Sequence, residues 1–267
     1  MKLDERSKML RRLVVKMIEV DRRGHIGPAL SLIEILRVLY DSFLNLQSAN
    51  PSWPDRDRFI LSKGHGCLAL YAILHDKGYL SNDDLLSFCK RLGSIGGHPE
   101  RDIHLGIEAT TGALGHGLSM GVGMALAAKI RNQKHRVVVV VGDGEINEGS
   151  VWEAAMSASK HGLSNLTVFV DYNKLQSYGT TKEVLDLEPL VEKWASFGFQ
   201  TEAVDGHDVE ALTDLVQKLP LARDKPSAII CHTVKGKGFA FAEGRADWHH
   251  KSGLTAEDIS SMYACLN

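Results

Sequence analysis

Val137-Val138-Val139-Val140-Val141-Gly142-Asp143-Gly144-Glu145-Ile146-Asn147-Glu148-Gly149 is the stretch whose reading decides the fold. Five consecutive valines predict a strand buried on both faces, as in a parallel sheet with helices above and below. The run stops at Gly142-Asp143-Gly144, where missing Cβ atoms allow a sharp turn and a close approach of backbone to ligand. Helical spacing resumes over 148–160. Strand, glycine turn and helix N-terminus together form an anion site, because free N–H groups point outward and the helix dipole favours negative charge. Asp143 puts a carboxylate in the middle of it. Carboxylate and phosphate repel unless a cation sits between them, so the turn reads as a divalent metal carrying a diphosphate.

A second strand, Leu166 to Asp171, runs into Tyr172-Asn173, thirty residues beyond Asp143. In a parallel sheet both strands discharge at the same edge, where ligands bind in open α/β folds. Asp143 and Asn173 can then share one hard cation. With a backbone carbonyl, phosphate oxygens and a water, they complete the octahedral oxygen shell that Mg²⁺ prefers. Taken alone, Gly-Asp-Gly is a common tight turn and Asn a common cap; the pairing of two strand ends is what makes the pattern specific.

Outward from this centre, strands alternate with helices and predict a doubly wound parallel sheet with helices on both faces. Helical spacing marks 3–21, and the Arg11-Arg12 pair in it reads as a solvated face. Ser31 and Glu34 have capping-box spacing, and Ser81 caps a helix over 83–91. Residues 58–62 are a short strand and Lys63-Gly64-His65-Gly66 opens a helix; 92–111 is a long Gly/His-rich loop of the kind that is more often functional than filler. The helix within 112–130 is crowded with glycine, which suits close packing by another backbone. Further helices start at Pro189, Asp208 and Thr255, with strands at 199–204 and 227–231. No repeat or linker divides the 267 residues, so residues 1–267 read as one domain.

Bulk properties narrow the function. Hydrophobic residues make up 44% and the net charge is −2, so no broad field recruits nucleic acid or an anionic membrane. No apolar run is long enough to span a bilayer, and the charged start, Met1 to Arg6, lacks a signal core. Cys67, Cys89, Cys231 and Cys265 are scattered, which suits free thiols in a reducing cytoplasm.

His25, His65, His98 and His116 each stand next to glycine in predicted loops, and His249-His250 ends another. On one sheet edge they would suit proton transfer and hydroxyl-rich, phosphorylated ligands. Zinc is disfavoured by their spacing, and the adjacent pair should face opposite ways. Gly64-His65-Gly66-Cys67-Leu68-Ala69 also fits a dinucleotide fingerprint, but Asp83-Asp84 open a capped helix rather than end a second strand.

Gly24-His25-Ile26-Gly27, Leu61 to Gly66, Gly97 to Glu100, Thr110 to Gly115, Gly142-Asp143-Gly144 with Glu148-Gly149, and Asp171-Tyr172-Asn173 together resemble the N-terminal, diphosphate-binding portion of transketolase, in the family's order and across nearly the whole chain. The Gly-Asp-Gly…Asn pair is similar to the motif of thiamine-diphosphate enzymes at large. The resemblance implies the thiamin diphosphate-binding fold, thiamine diphosphate and Mg²⁺, with Ca²⁺ or Mn²⁺ as substitutes. It implies Asp143, Asn173 and the carbonyl of Leu175 as metal ligands. Gly144, His65 and Asn173 become cofactor contacts, Gly112, Ala113 and Leu114 the loop at the pyrimidine, and His249 a residue that serves cofactor and sugar alike. His25, His98 and His249 stand around the reacting carbon, and Glu148 links two active sites across a dimer. Ala113 and His116 replace residues common in the family, and His116 is expected to bear on substrate choice.

The family's pyrimidine-binding and C-terminal domains do not follow within these residues. The expectation is therefore the N-terminal subunit of a split transketolase, a transferase of aldehyde or ketone groups in carbohydrate metabolism such as the pentose phosphates. It would be active only with a separate C-terminal transketolase subunit, in an α2β2 heterotetramer, with helix Gly115–Gly123 as a packing surface. It would move a two-carbon ketol unit between sugar phosphates. Competing readings are a subunit of a 2-oxoacid dehydrogenase or deoxyxylulose-phosphate synthase, a nicotinamide oxidoreductase using the Gly64 loop, or a silent regulatory subunit.

Overall fold

In the computed structural model, which describes residues 3–267, the valine run is the second strand of a five-stranded, wholly parallel sheet. The elements in chain order are α1 (Glu5–Asp21), α2 (Ile26–Leu30), α3 (Ile33–Val38), β1 (Arg58–Leu61), α4 (Cys67–Asp76), α5 (Asn82–Leu86), α6 (Gly117–Ile130), β2 (Val137–Gly142), α7 (Gly149–Lys160) and β3 (Leu166–Tyr172). There follow α8 (Thr181–Val184), α9 (Leu190–Ser196), β4 (Gln200–Asp205), α10 (Val209–Val216), β5 (Ser227–His232) and α11 (Ala256–Ala264). Strand order is β1-β2-β3-β5-β4.

The valines divide between two cores, as the two-residue period of a strand requires. Val138 and Val140 pack with α1, α3, α4 and α10 on one face. Val137, Val139 and Val141 pack with α6, α7 and α9 on the other. All five are fully buried. Among the described residues no helix is long and apolar enough to cross a membrane.

The glycines of α6 are explained by this sheet. A Cβ on Gly121 would lie 2.4 Å from Val139 Cγ2, and one on Gly117 would lie 2.2 Å from Ser62 Oγ. The close neighbour of these two is the chain's own sheet and loop, while a Cβ on Gly123 would meet nothing within 4 Å.

Three local expectations fail, two of them because a buried charge draws in nearby partners. Ser31 does not cap α3, which starts without a side-chain cap. Its hydroxyl is buried and donates to Asp171 (2.6 Å) and to the Pro28 carbonyl (3.1 Å). Arg11 is not solvated: it is 0% exposed and donates to both Glu34 oxygens, at 2.6 and 3.0 Å. Buried charges recruit whatever partners lie near, because leaving them bare is costly. The helix capped by Ser81 stops at Leu86 rather than Arg91, because Cys89 and Leu92 adopt positive φ.

Candidate active site

β2 and β3 end level with each other, Gly142 opposite Asp171, so Asp143 and Asn173 emerge side by side at the carboxyl edge. Both line one cleft of about 390 Å³, a size suited to a small organic ligand. Asp143 is 4% exposed. Its Oδ1 accepts from Gly144 N–H at 2.7 Å and its Oδ2 from Lys174 N–H at 2.6 Å. Burial, then the neighbouring Asp171, push its pKa up to about 6. Asn173 Oδ1 accepts from Leu175 N–H at 3.1 Å, and the Leu175 carbonyl accepts from Lys235 Nζ at 2.6 Å.

Around these stand charges that local sequence did not single out. Asp171 is fully buried and meets Lys63 Nζ at 2.5 Å, with Ser31 and Thr233 donating to it as well. Burial would raise its pKa, but Lys63 and these donors hold it below the usual carboxylate range. Lys235 is 2% exposed; burial, then the charge of Lys63, lower its pKa to about 8. Glu145, also buried, ties three loops together. It accepts from Ser62 Oγ (2.5 Å), Gly115 N–H (3.0 Å) and Gly142 N–H (3.0 Å). Lys63 and Lys235 thus put two ammonium groups into the cleft wall beside the glycine turn, which is provision for an anion.

The opposite wall is histidine. The His25 ring lies 5.7 Å from His65, 5.6 Å from His98, 5.4 Å from His249 and 4.6 Å from His250, between centroids. His249 and His250 do not face opposite ways: the turn at Ala246–Trp248 brings both rings against His25, with His249 lining the cleft and His250 exposed. Burial lowers the pKa of His25 to about 4, of His249 to about 3, and of His65 well below the ordinary value; His250, Lys235 and Lys63 respectively add charge repulsion. These rings are neutral at neutral pH, so each offers a donor and an acceptor to a hydroxyl.

Leu175, Gly112, Leu114, Gly144 and Glu148 line the same cleft. Ala113 is exposed and outside the lining, as is His116, the residue preceding α6. Asp83 and Asp84 sit in the first turn of α5, Asp84 in its capping box, away from any strand end, which removes the acidic residue a dinucleotide fingerprint needs. Among the described residues no three His, Cys, Asp or Glu side chains converge as a metal cage. A cation here would draw on an amide and a carbonyl beside Asp143.

The cleft also holds polar atoms without partners. Gln176 Nε2 and His249 Nδ1 are buried and unpaired. Gln176 lies over Gly144, where a Cβ would meet its side chain at 3.2 Å. Gly112 has φ +128°, and a Cβ on it would strike the His98 ring at 2.8 Å. An orphaned Gln176 amide, a backbone cradle, two lysines and a buried carboxylate fit a metal-bound diphosphate carrying an aromatic body.

Comparison with known proteins bears on the same reading. A family model described as Transketolase, thiamine diphosphate binding domain, matches residues 4–266. The chain is 41% identical over 256 residues to 6-deoxy-6-sulfo-D-fructose transketolase subunit SqwG of Clostridium sp., covering 96% of this chain and 92% of that protein. It is 41% identical over 250 residues to an apulose-4-phosphate transketolase subunit of Actinobacillus succinogenes, covering 93% and 90%. Among solved structures, transketolase from Leishmania mexicana superposes with a TM-score of 0.91 at 32% identity, over 100% of this chain and 41% of that one. The chain spans about two fifths of the solved transketolases it matches.

Proposed function

Since this chain belongs to the transketolase family, matching its thiamine diphosphate-binding domain from end to end, we propose that it is the N-terminal subunit of a two-chain transketolase. Relatives of nearly its own length are named as transketolase subunits, which supports a separate partner chain. In this reading residues 1–267 act as one domain, two copies join two partners as an α2β2 assembly, and the free thiols suit the cytoplasm. The reaction is transfer of a two-carbon ketol unit from a ketose to an aldose, with phosphorylated sugars as the substrate class.

Asp143, Asn173 and the Leu175 carbonyl would hold Mg²⁺, and Gly144, His65, Lys63 and Lys235 the diphosphate. Gly112 and Leu114 would border the pyrimidine, with Ala113 between them turned out of the lining. When bound, thiamine diphosphate supplies the nucleophilic carbon and the electron sink that carbon–carbon cleavage next to a carbonyl demands. The protein's part is placement and proton handling. His98 and His249 both pack against His25 in one wall of the cleft. As neutral imidazoles, His25 and His249 can accept the proton of the donor hydroxyl whose carbon becomes the carbonyl of the departing aldose, and give one to the acceptor's carbonyl oxygen as it becomes a hydroxyl. Glu148 is exposed at the cleft rim, where a neighbouring chain can meet it.

The observation that carries this reading is the emergence of Asp143 and Asn173 at adjacent strand ends, opposite the histidine wall of the same cleft. Its test is reconstitution with the candidate C-terminal partner, followed by assay against a panel of ketose donors and aldose phosphates. Turnover should require both chains, thiamine diphosphate and Mg²⁺. Turnover by one chain alone, or undiminished by omitting the cofactor, would refute it.

A further inference from the structure

Lys235 sits on a strap, Thr233 to Lys237, whose residues are each pinned. Thr233 Oγ1 donates to Asp171. Val234 N–H donates to His207 Nε2 at 2.8 Å. Lys235 Nζ donates to the carbonyls of Leu175 and Gln176, at 2.6 and 3.1 Å. Gly236 N–H donates to Gly27 O at 3.1 Å, and Lys237 O accepts from Arg11 Nε at 2.9 Å. Two of these pins are ends of one buried chain of charge. Arg11 grips both oxygens of Glu34, and Glu34 Oε2 lies 2.8 Å from His207 Nδ1. Because Nε2 accepts from a backbone N–H, the ring proton must be on Nδ1, where it donates to Glu34. Arg11, Glu34 and His207 are all buried, and none of them lines the cleft.

We propose that His207 is a positioning residue for the cofactor cleft: held by Arg11 and Glu34, it fixes Val234 and so sets where the neighbouring Lys235 presents its ammonium group to a bound diphosphate. A flexible lysine is a poor anchor unless its own backbone is immobile. A backbone N–H held by an imidazole, itself held by a carboxylate–guanidinium pair, gives that immobility in the way outer partners orient metal ligands. The relay crosses α1, α3, the loop after β4 and the strap after β5, four segments far apart in sequence. That span would be excessive for local stabilisation of one loop. The role of Lys235 rests on the proposed function; the pinning of the strap does not.

The test uses the full chain, hydrogen exchange, and magnesium pyrophosphate as the probe, since pyrophosphate needs none of the partner's groups. His207→Asn keeps a donor near Glu34 but is too short to reach Val234; His207→Gln reaches it with a carbonyl oxygen. In His207→Asn the Val234 and Gly236 amides should exchange about tenfold faster, and pyrophosphate should bind about tenfold more weakly, as expected for one orphaned buried donor. His207→Gln should recover most of both. In a Lys235→Met background the further effect of His207→Asn on binding should vanish, since the coupling runs through that lysine. Unchanged exchange in His207→Asn would overturn the proposal, as would an equal loss of binding with and without Lys235, the sign of a merely structural role. If His207→Asn does not fold, the wild type decides: a Val234 amide exchanging as fast as an open loop overturns the proposal, and one protected like β5 supports it. A wild type that binds no magnesium pyrophosphate would refute the proposed function, while the exchange rates still judge the strap.

Discussion

Asp143→Asn separates what this carboxylate costs the fold from what it does for a ligand. In the metal-free chain, burial and then Asp171 raise its pKa from 3.8 to about 6. Between those values the folded chain keeps a proton that the unfolded chain has lost, so stability falls as pH rises and stays reduced above about 6. At about 1.4 kcal/mol per pH unit, the charged group costs about 3 kcal/mol at about pH 8. Asn removes that cost but offers one acceptor to two N–H groups, those of Gly144 and Lys174. The donor left over costs about 1–2 kcal/mol. The variant should therefore gain about 1–2 kcal/mol at about pH 8, or about 3–6 °C in melting temperature for a chain of this size. Near pH 5, where the wild type is mostly protonated and charging costs only about half as much, the two should melt together. The assay is thermal unfolding in a chelator at both pH values. Adding Mg²⁺ and thiamine diphosphate should then raise the melting temperature of the wild type alone. A variant less stable than wild type at about pH 8, or equally stabilised by the ligands, would refute the reasoning.

Lys63→Met leaves Asp171 buried without its cation and should cost about 3–5 kcal/mol, read as a lower urea midpoint. Gly112→Ala forces a Cβ into a φ of +128° and to within 2.8 Å of the His98 ring; about 1–3 kcal/mol of strain should appear in melting curves, with weaker thiamine diphosphate binding by titration calorimetry. His25 and His249 have pKa values lowered to about 4 and about 3, by burial first. As pH falls below about 6.5 the unfolded chain takes these protons before the folded one does, so stability is lost on acidification. In His25→Asn and His249→Asn that fall, measured against wild type between about pH 6.5 and 4, should be shallower.

The centre of this fold is legible because it depends on short-range pattern. A valine run, a glycine turn and a second strand ending in Asn173 are each local signals, and parallel pairing brings their ends together. The histidine wall is legible from repeated glycine–histidine pairs. What the chain conceals is long-range charge. Lys63 and Lys235 precede glycines in loops and look like any solvated lysine; Lys63 is buried on Asp171, 108 residues beyond it, and Lys235 on the carbonyls of Leu175 and Gln176. The hint was there, since a carboxylate closing a fully buried strand demands a cation. Arg11 and Glu34 look like ordinary helix-surface residues until α1 and α3 pack. His207 carries the same Gly-His signal as the site histidines, yet it serves the strap from behind. Ser31 shows the limit of capping rules, because its hydroxyl goes to the buried Asp171 instead of its own helix.

The most direct test of the central claim is anomalous diffraction from crystals of the chain grown with Mn²⁺ and thiamine diphosphate. The account requires one manganese peak bound by the Asp143 carboxylate, the Asn173 amide oxygen and the Leu175 carbonyl, with diphosphate density beside Gly144. Manganese found elsewhere, or cofactor bound in the cleft without a metal at Asp143, would contradict it.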